Sequence, residues 1–208
     1  MIVVIDDARR TLSKPYHYTP DPTIVDLKPK WSFMSGGRIL TVHGKNLDTV
    51  EQPFIAALNE DGVGVGRSPC TVISSTQMDC PSPAIMLAAI RATPLVMDGQ
   101  AQLHDNSPAV ITPVRIGFEM DMVKSVLNLE KFAPEVNSEI LYVKDPVYKP
   151  FKHNEQSYKG DLLVIEGFNL NLAADENDVD VRMGNEKCNG TSLTSTQMLC
   201  IPPLIAPS

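Results

Sequence analysis

The sequence predicts an all-β chain built from tandem β-sandwich modules. Three observations carry that expectation: an internal repeat, short β-branched segments between turn residues, and prolines too frequent for long helices. Tyr18-Thr-Pro-Asp21-Pro22-Thr23 recurs as Tyr142-Val-Lys-Asp145-Pro146-Val147. Leu40-Thr-Val-His-Gly44-Lys-Asn46-Leu47 recurs as Leu163-Val-Ile-Glu-Gly167-Phe-Asn169-Leu170. Cys70 and the block Ser75-Thr76-Gln77-Met78-Asp-Cys80 recur as Cys188 and Ser195-Thr196-Gln197-Met198-Leu-Cys200. Three blocks in one order, each recurring about 120 residues downstream, define one repeating unit.

Each element has its own signal. Residues 22–29, with apolar Ile24 between Thr23 and Val25, read as a half-buried strand. Residues 38–43 and 162–166 are short, β-branched and bounded by glycine, which predicts strands. Asp61-Gly62 and Gly184-Asn185 are hairpin-type turns. Late strands are expected around 114–127 and 139–143. The 17 prolines leave one helix candidate, residues 84–91. Short strands between turn signals point to a sandwich.

The repeat also predicts domain boundaries. Residues 1–17 read as the tail of a preceding module, 18–141 as a complete module, and 142–208 as a second module. The second copy lacks counterparts of the late strands, because only eight residues follow Cys200. An unclosed sandwich leaves an apolar face and strand edges uncovered. The second half is therefore expected to be poorly stable alone or covered by other strands, residues 1–17 being one candidate cover.

Composition narrows the function. The formal net charge of −7 argues against a nucleic-acid partner, which needs a basic face. There is no run of about 18 apolar residues to cross a bilayer. The N-terminus carries acid where a secretory signal carries base, so a targeting segment is expected outside this chain.

The four cysteines fall as one pair per repeat, with separations of 10 and 12 residues. Each pair brackets a strand–turn–strand segment, and a hairpin brings its sulfurs together. Disulfides Cys70–Cys80 and Cys188–Cys200 are expected, four buried free thiols being the alternative. Asn189-Gly190-Thr191 is a glycosylation sequon inside the second cysteine loop, on an expected surface turn. No catalytic, cofactor-binding or metal-ligating set emerges. Gly62-Val-Gly64-Val-Gly66 lacks the lysine of a phosphate loop and reads as a glycine-rich hairpin or bulge. His17, His43, His104 and His153 lie far apart and read as structural or surface residues. Residues 175–180 carry four acids but lack the turn glycine and closing glutamate of an EF-hand. They read as a solvated acidic loop, a weak cation site being the alternative. Ser74, Ser75 and Thr76 sit in a repeated structural block, which argues against hydroxyl catalysis.

The Ser35-Gly36-Gly37-Arg38, Gly-x-Asn-Leu and Gln-Met-x-Cys elements resemble an immunoglobulin-like IPT/TIG (E-set) domain of the plexin family. Residues 117–123 resemble a late strand of those modules, and 141–151 resemble the related segment of the Met/Ron receptor family. The second copy departs from the first in having Tyr158-Lys-Gly160-Asp161 in place of Ser-Gly-Gly. The resemblance implies a non-catalytic stalk segment of a single-pass cell-surface receptor for semaphorins, active in axon guidance. Such a stalk sets receptor shape and passes the signal towards the cytoplasmic region. The implied partners are neighbouring domains of the same receptor, semaphorin only through the whole receptor, and homotypic contacts between stalks. No cofactor is implied, and membrane attachment would come from a helix outside this chain. The alternatives are IPT modules of a Met/Ron-like receptor, an accessory binding sandwich of a secreted carbohydrate-active protein, or a Rel-like DNA-contact domain. Acidic charge opposes the last. The single tryptophan, Trp31, offers no row of aromatics for sugar stacking.

Overall fold

The computed structural model describes residues 2–11, 18–86, 90, 95–96, 110–121, 123–151 and 162–203. The chain opens with a hairpin of β1 (Ile2–Ile5) and β2 (Ala8–Thr11). Its two-residue turn, Asp6-Asp7, has φ values of 48° and 65°. Positive φ at both positions matches the turn twist to that of the flanking strands.

The first module is a two-sheet sandwich. One sheet orders β3 (Thr23–Lys28), β5 (Ile39–Lys45), β9 (Gln77–Pro81) and β8 (Thr71–Ser74). The other orders β4 (Trp31–Phe33), β12 (Glu139–Val143), β11 (Val110–Glu119), β6 (Phe54–Leu58) and β7 (Gly64–Pro69). The short β10 (Leu95–Val96) lies against β11. Neighbours are antiparallel except β4 and β12.

Alternation along the strands places the core between the sheets. Leu40 and Val42 of β5 and Met78 and Cys80 of β9 are fully buried. They face Ile55 and Ala57 of β6, Ile116 and Phe118 of β11, and Ile140 and Tyr142 of β12, in one cluster. β12 continues through Tyr142 and Val143, so both residues belong to the first module's sheet.

Two local expectations change. β11 ends at Glu119, and residues 124–127 are not strand. Asp121 takes φ 43° and turns the chain, and two short helical turns follow, Lys124–Leu127 and Leu129–Phe132. Val126 and Leu129 plug the end of the core, which single helical turns do without a long periodic pattern. Of the helix expected at 84–91, Ala84–Met86 lie outside regular structure and Ile90 is helical. The remaining positions are outside the described residues.

The second module repeats one sheet of the first. β13 (Val147–Tyr148), β14 (Leu163–Phe168), β18 (Gln197–Ile201) and β17 (Asn189–Leu193) copy the order β3-β5-β9-β8. A hairpin of β15 (Arg182–Met183) and β16 (Glu186–Lys187) turns at Gly184-Asn185. Among the described residues, the second module has no strands equivalent to β11 and β12. Burial records the difference. Leu40 and Val42 are fully buried, whereas their counterparts Leu163 and Ile165 are only half-buried.

Candidate functional site

The repeated blocks hold one another. In the first module the amides of Gly44 and Leu47 donate to the carbonyls of Thr76 and Ser75, both at 3.0 Å. In the second, Gly167 donates to Thr196 at 2.9 Å and Leu170 to Ser195 at 3.2 Å. Asn46 and Asn169 take φ of 57° and 62°, a region asparagine tolerates. That turn drops Leu47 and Leu170 into the interior. Glycine is needed because a Cβ on Gly44 would sit 2.2 Å from the Thr23 carbonyl oxygen. On Gly167 it would sit 2.5 Å from that of Val147. The Ser-Thr-Gln-Met hydroxyl block is thus a turn that presents carbonyls to this clasp.

The same turns carry the cysteines. Cys70 precedes β8 and bonds to Cys80 in β9, and Cys188 precedes β17 and bonds to Cys200 in β18. Each disulfide closes the hairpin whose turn forms the clasp. Asn189 is exposed on β17, the outermost strand of the second sheet, beside a register irregularity. The sequon therefore lies on a strand rather than on a turn.

Beneath the end of the first module, buried polar groups pair up. The Tyr142 hydroxyl donates to the Pro83 carbonyl at 2.9 Å. Burial pushes the Tyr142 phenol above the usual tyrosine range. Ser32 and Ser82 share a hydrogen bond of 2.6 Å, and the Arg38 amide donates to the Ser82 hydroxyl. Thr112 is fully buried, and its hydroxyl has no partner among the described residues.

The two modules meet where β12 runs into Asp145-Pro146. The Ser35 amide donates to an Asp145 carboxylate oxygen at 2.9 Å. Arg38 reaches across to Asp178, with Nη2 2.5 Å from Oδ2. Phe33 reaches a recess of about 620 Å³ in the second module, lined with Ile165, Leu170, Val179, Val181 and Met198. Ile165 of β14 and Met198 of β18 form one side of this recess, and Val179 and Val181 come from the segment that leads into β15. The hairpin of β1 and β2 pairs within itself, and none of its described residues lines the recess.

The remaining candidates resolve as structure. Gly62, with φ 74°, turns the loop between β6 and β7, and Gly64 and Gly66 flank a bulge in β7. His43 is exposed on β5; His17, His104 and His153 lie outside the described residues. So does the Tyr158–Asp161 segment. The acids of the 175–180 run are all exposed, and several also make local contacts. Asp175 and Asp178 form a capping box around a short 3-10 turn, and Asp180 pairs with Arg182 and Lys187. Among the described residues, no group of three metal-ligating side chains converges. No helix among them is long and apolar enough to cross a membrane. The joint of Phe33, Arg38 and Asp178 is what the sequence alone does not disclose. Arg38 and Asp178 lie 140 positions apart, and no local pattern links them.

Comparison with known proteins places this architecture. The IPT/TIG domain family matches residues 22–109 and 150–208. Plexin-2 of Caenorhabditis elegans is 30% identical over 211 residues, covering 100% of this chain and 11% of that protein. Plexin-B3 of Rattus norvegicus is 28% identical over 217 residues, covering 96% of this chain and 11% of that protein. The chain therefore spans 11% of the length of each of these relatives. The solved full extracellular region of plexin A4 superposes with a TM-score of 0.55 at 24% identity, over 98% of this chain and 15% of that one. That likeness bears on the fold, an immunoglobulin-like β-sandwich. With the family matched on both copies of the clasped repeat, the chain belongs to the IPT/TIG domain family.

Proposed function

We propose that this chain is an extracellular stalk segment of a plexin-type semaphorin receptor at the cell surface. It is a non-catalytic spacer that sets receptor shape and carries signal towards the cytoplasmic side in axon guidance. One observation carries the reading: similarity to plexins runs along the whole chain while two IPT/TIG modules meet through a built joint. Residues 1–17 are the tail of a preceding module, 18–143 a complete module that takes in the whole of β12, and 144–208 a second one whose inner face other strands complete. Cys70–Cys80 and Cys188–Cys200 staple the clasp hairpins, and the exposed Asn189 is an N-glycan acceptor. The contacts that matter are with neighbouring domains, and semaphorin is met by the receptor as a whole.

Surface binding tests this directly. The 208-residue chain and a whole plexin-type ectodomain containing it are immobilised and exposed to a semaphorin ectodomain. The ectodomain is expected to bind and the chain alone to give no signal. Saturable binding to the chain alone would overturn the spacer reading.

A further inference from the structure

The joint between the modules is held at both ends by groups already fixed within each module. On the first module, Arg38 leads into β5. Its backbone is pinned by the Ser82 hydroxyl, which accepts from its amide at 3.1 Å, and by the Ser82 amide, which donates to its carbonyl at 2.7 Å. Its side chain is 16% exposed, and its Nε is buried without an acceptor among the described residues. On the second module, the Asp178 carboxylate accepts from the Asp175 amide at 2.9 Å in the capping box. The Asp178 carboxylate therefore does not have to be ordered afresh to form the pair, and the Arg38 backbone is held where its side chain starts towards it. Loss of Asp178 leaves the largely buried Arg38 guanidinium without its carboxylate. Phe33 in the neighbouring recess adds a further point of attachment. The Ser35–Asp145 bond ties the linker to the first module, and beyond the single covalent crossing at Lys144-Asp145-Pro146 the Arg38–Asp178 pair and Phe33 are the contacts that oppose rotation.

We propose that the Arg38–Asp178 ion pair is an angular lock that makes the two modules tumble as one body. The contact is a device for orientation, and Phe33 serves as its apolar stop. The proposal rests on the stalk reading for its purpose, because a spacer transmits orientation only through stiff joints.

Amide 15N relaxation of the 208-residue chain tests the lock. In the unsubstituted chain both modules are expected to report one rotational correlation time. In Arg38→Ala and in Asp178→Asn that common value is expected to separate into two. Asp178→Asn keeps an oxygen for the capping box, so its second module stays folded even where Arg38→Ala disturbs the first. Amide shifts within each module verify this. A common correlation time retained in a folded Asp178→Asn chain overturns the lock. The readout is independent of ligand: semaphorin binding by the chain alone would sink the stalk reading while leaving the lock intact.

Discussion

The amide of Gly44 donates to the carbonyl of Thr76 at 3.0 Å, and the equivalent bond joins Gly167 to Thr196 at 2.9 Å. Two blocks that repeat separately along the sequence are the two halves of one interaction. The Gly-x-Asn-Leu half turns the chain and buries its leucine. The Ser-Thr-Gln-Met half supplies the carbonyls and sits at the tip of a disulfide-closed hairpin. This pairing explains why these blocks recur while the strands around them differ.

Gly44→Ala should therefore unfold the first module selectively. A methyl group at 2.2 Å from the Thr23 oxygen cannot be accommodated without separating β3 from β5. The expected loss is about 3 kcal/mol, at the upper end for single substitutions. Urea denaturation followed at Trp31 in β4 reports the first module, and its midpoint should fall with little change in slope. Gly167→Ala should leave that midpoint in place.

Removing Cys70–Cys80 by a double Cys→Ser change should destabilise the first module by about 2.5–3 kcal/mol. This is the chain-entropy value for a loop of its size. The checks are a disulfide map by mass spectrometry and a thermal melt with and without reductant. An unchanged melt on full reduction would contradict the staple.

Tyr142 gives the first module an alkaline limit. Its phenol is held neutral by burial, so its pKa is raised above the ordinary value. The unfolded chain ionises at about pH 10, so stability is intact below that pH and falls as pH rises beyond it. Tyr142→Phe should remove this group's share of the alkaline slope. At neutral pH it should cost about 1 kcal/mol for the lost hydrogen bond to Pro83. Stability curves at pH 8 to 11 check both effects.

Thr112→Val should stabilise the first module by about 1 kcal/mol. It replaces a fully buried hydroxyl that lacks a partner among the described residues with a methyl group of similar shape. A lowered urea midpoint would show that the hydroxyl is satisfied in solution.

How much of this was legible in the sequence depended on how local the physics was. The all-β class and strands β3, β5, β11, β12 and β14 followed from alternation and β-branching, because those signals lie within a few adjacent residues. The Gly184-Asn185 turn was legible for the same reason. The extent of β11 was not. Residues 120–127 continue its apolar run, and only the turn at Asp121 and the burial of Val126 beneath the sheet show that the strand has ended. The acids at 175–180 are exposed, as their charge suggests, but the pairing of Asp178 was not legible because Arg38 belongs to the other module. Repeat arithmetic revealed modules, and it carried no information about the surface between them.

The most direct test of the central claim replaces this segment within a whole plexin-type receptor. One replacement is an unrelated, rigid pair of β-sandwiches of equal length, and the other a flexible Gly/Ser linker of equal span. The measurement is semaphorin-induced collapse of cells that display each receptor at equal surface density. If the segment is a shape-setting spacer, the rigid replacement retains the response and the flexible one loses it. Loss with both replacements, despite normal display and semaphorin binding, would show that residues of this segment act through specific contacts and would contradict the account.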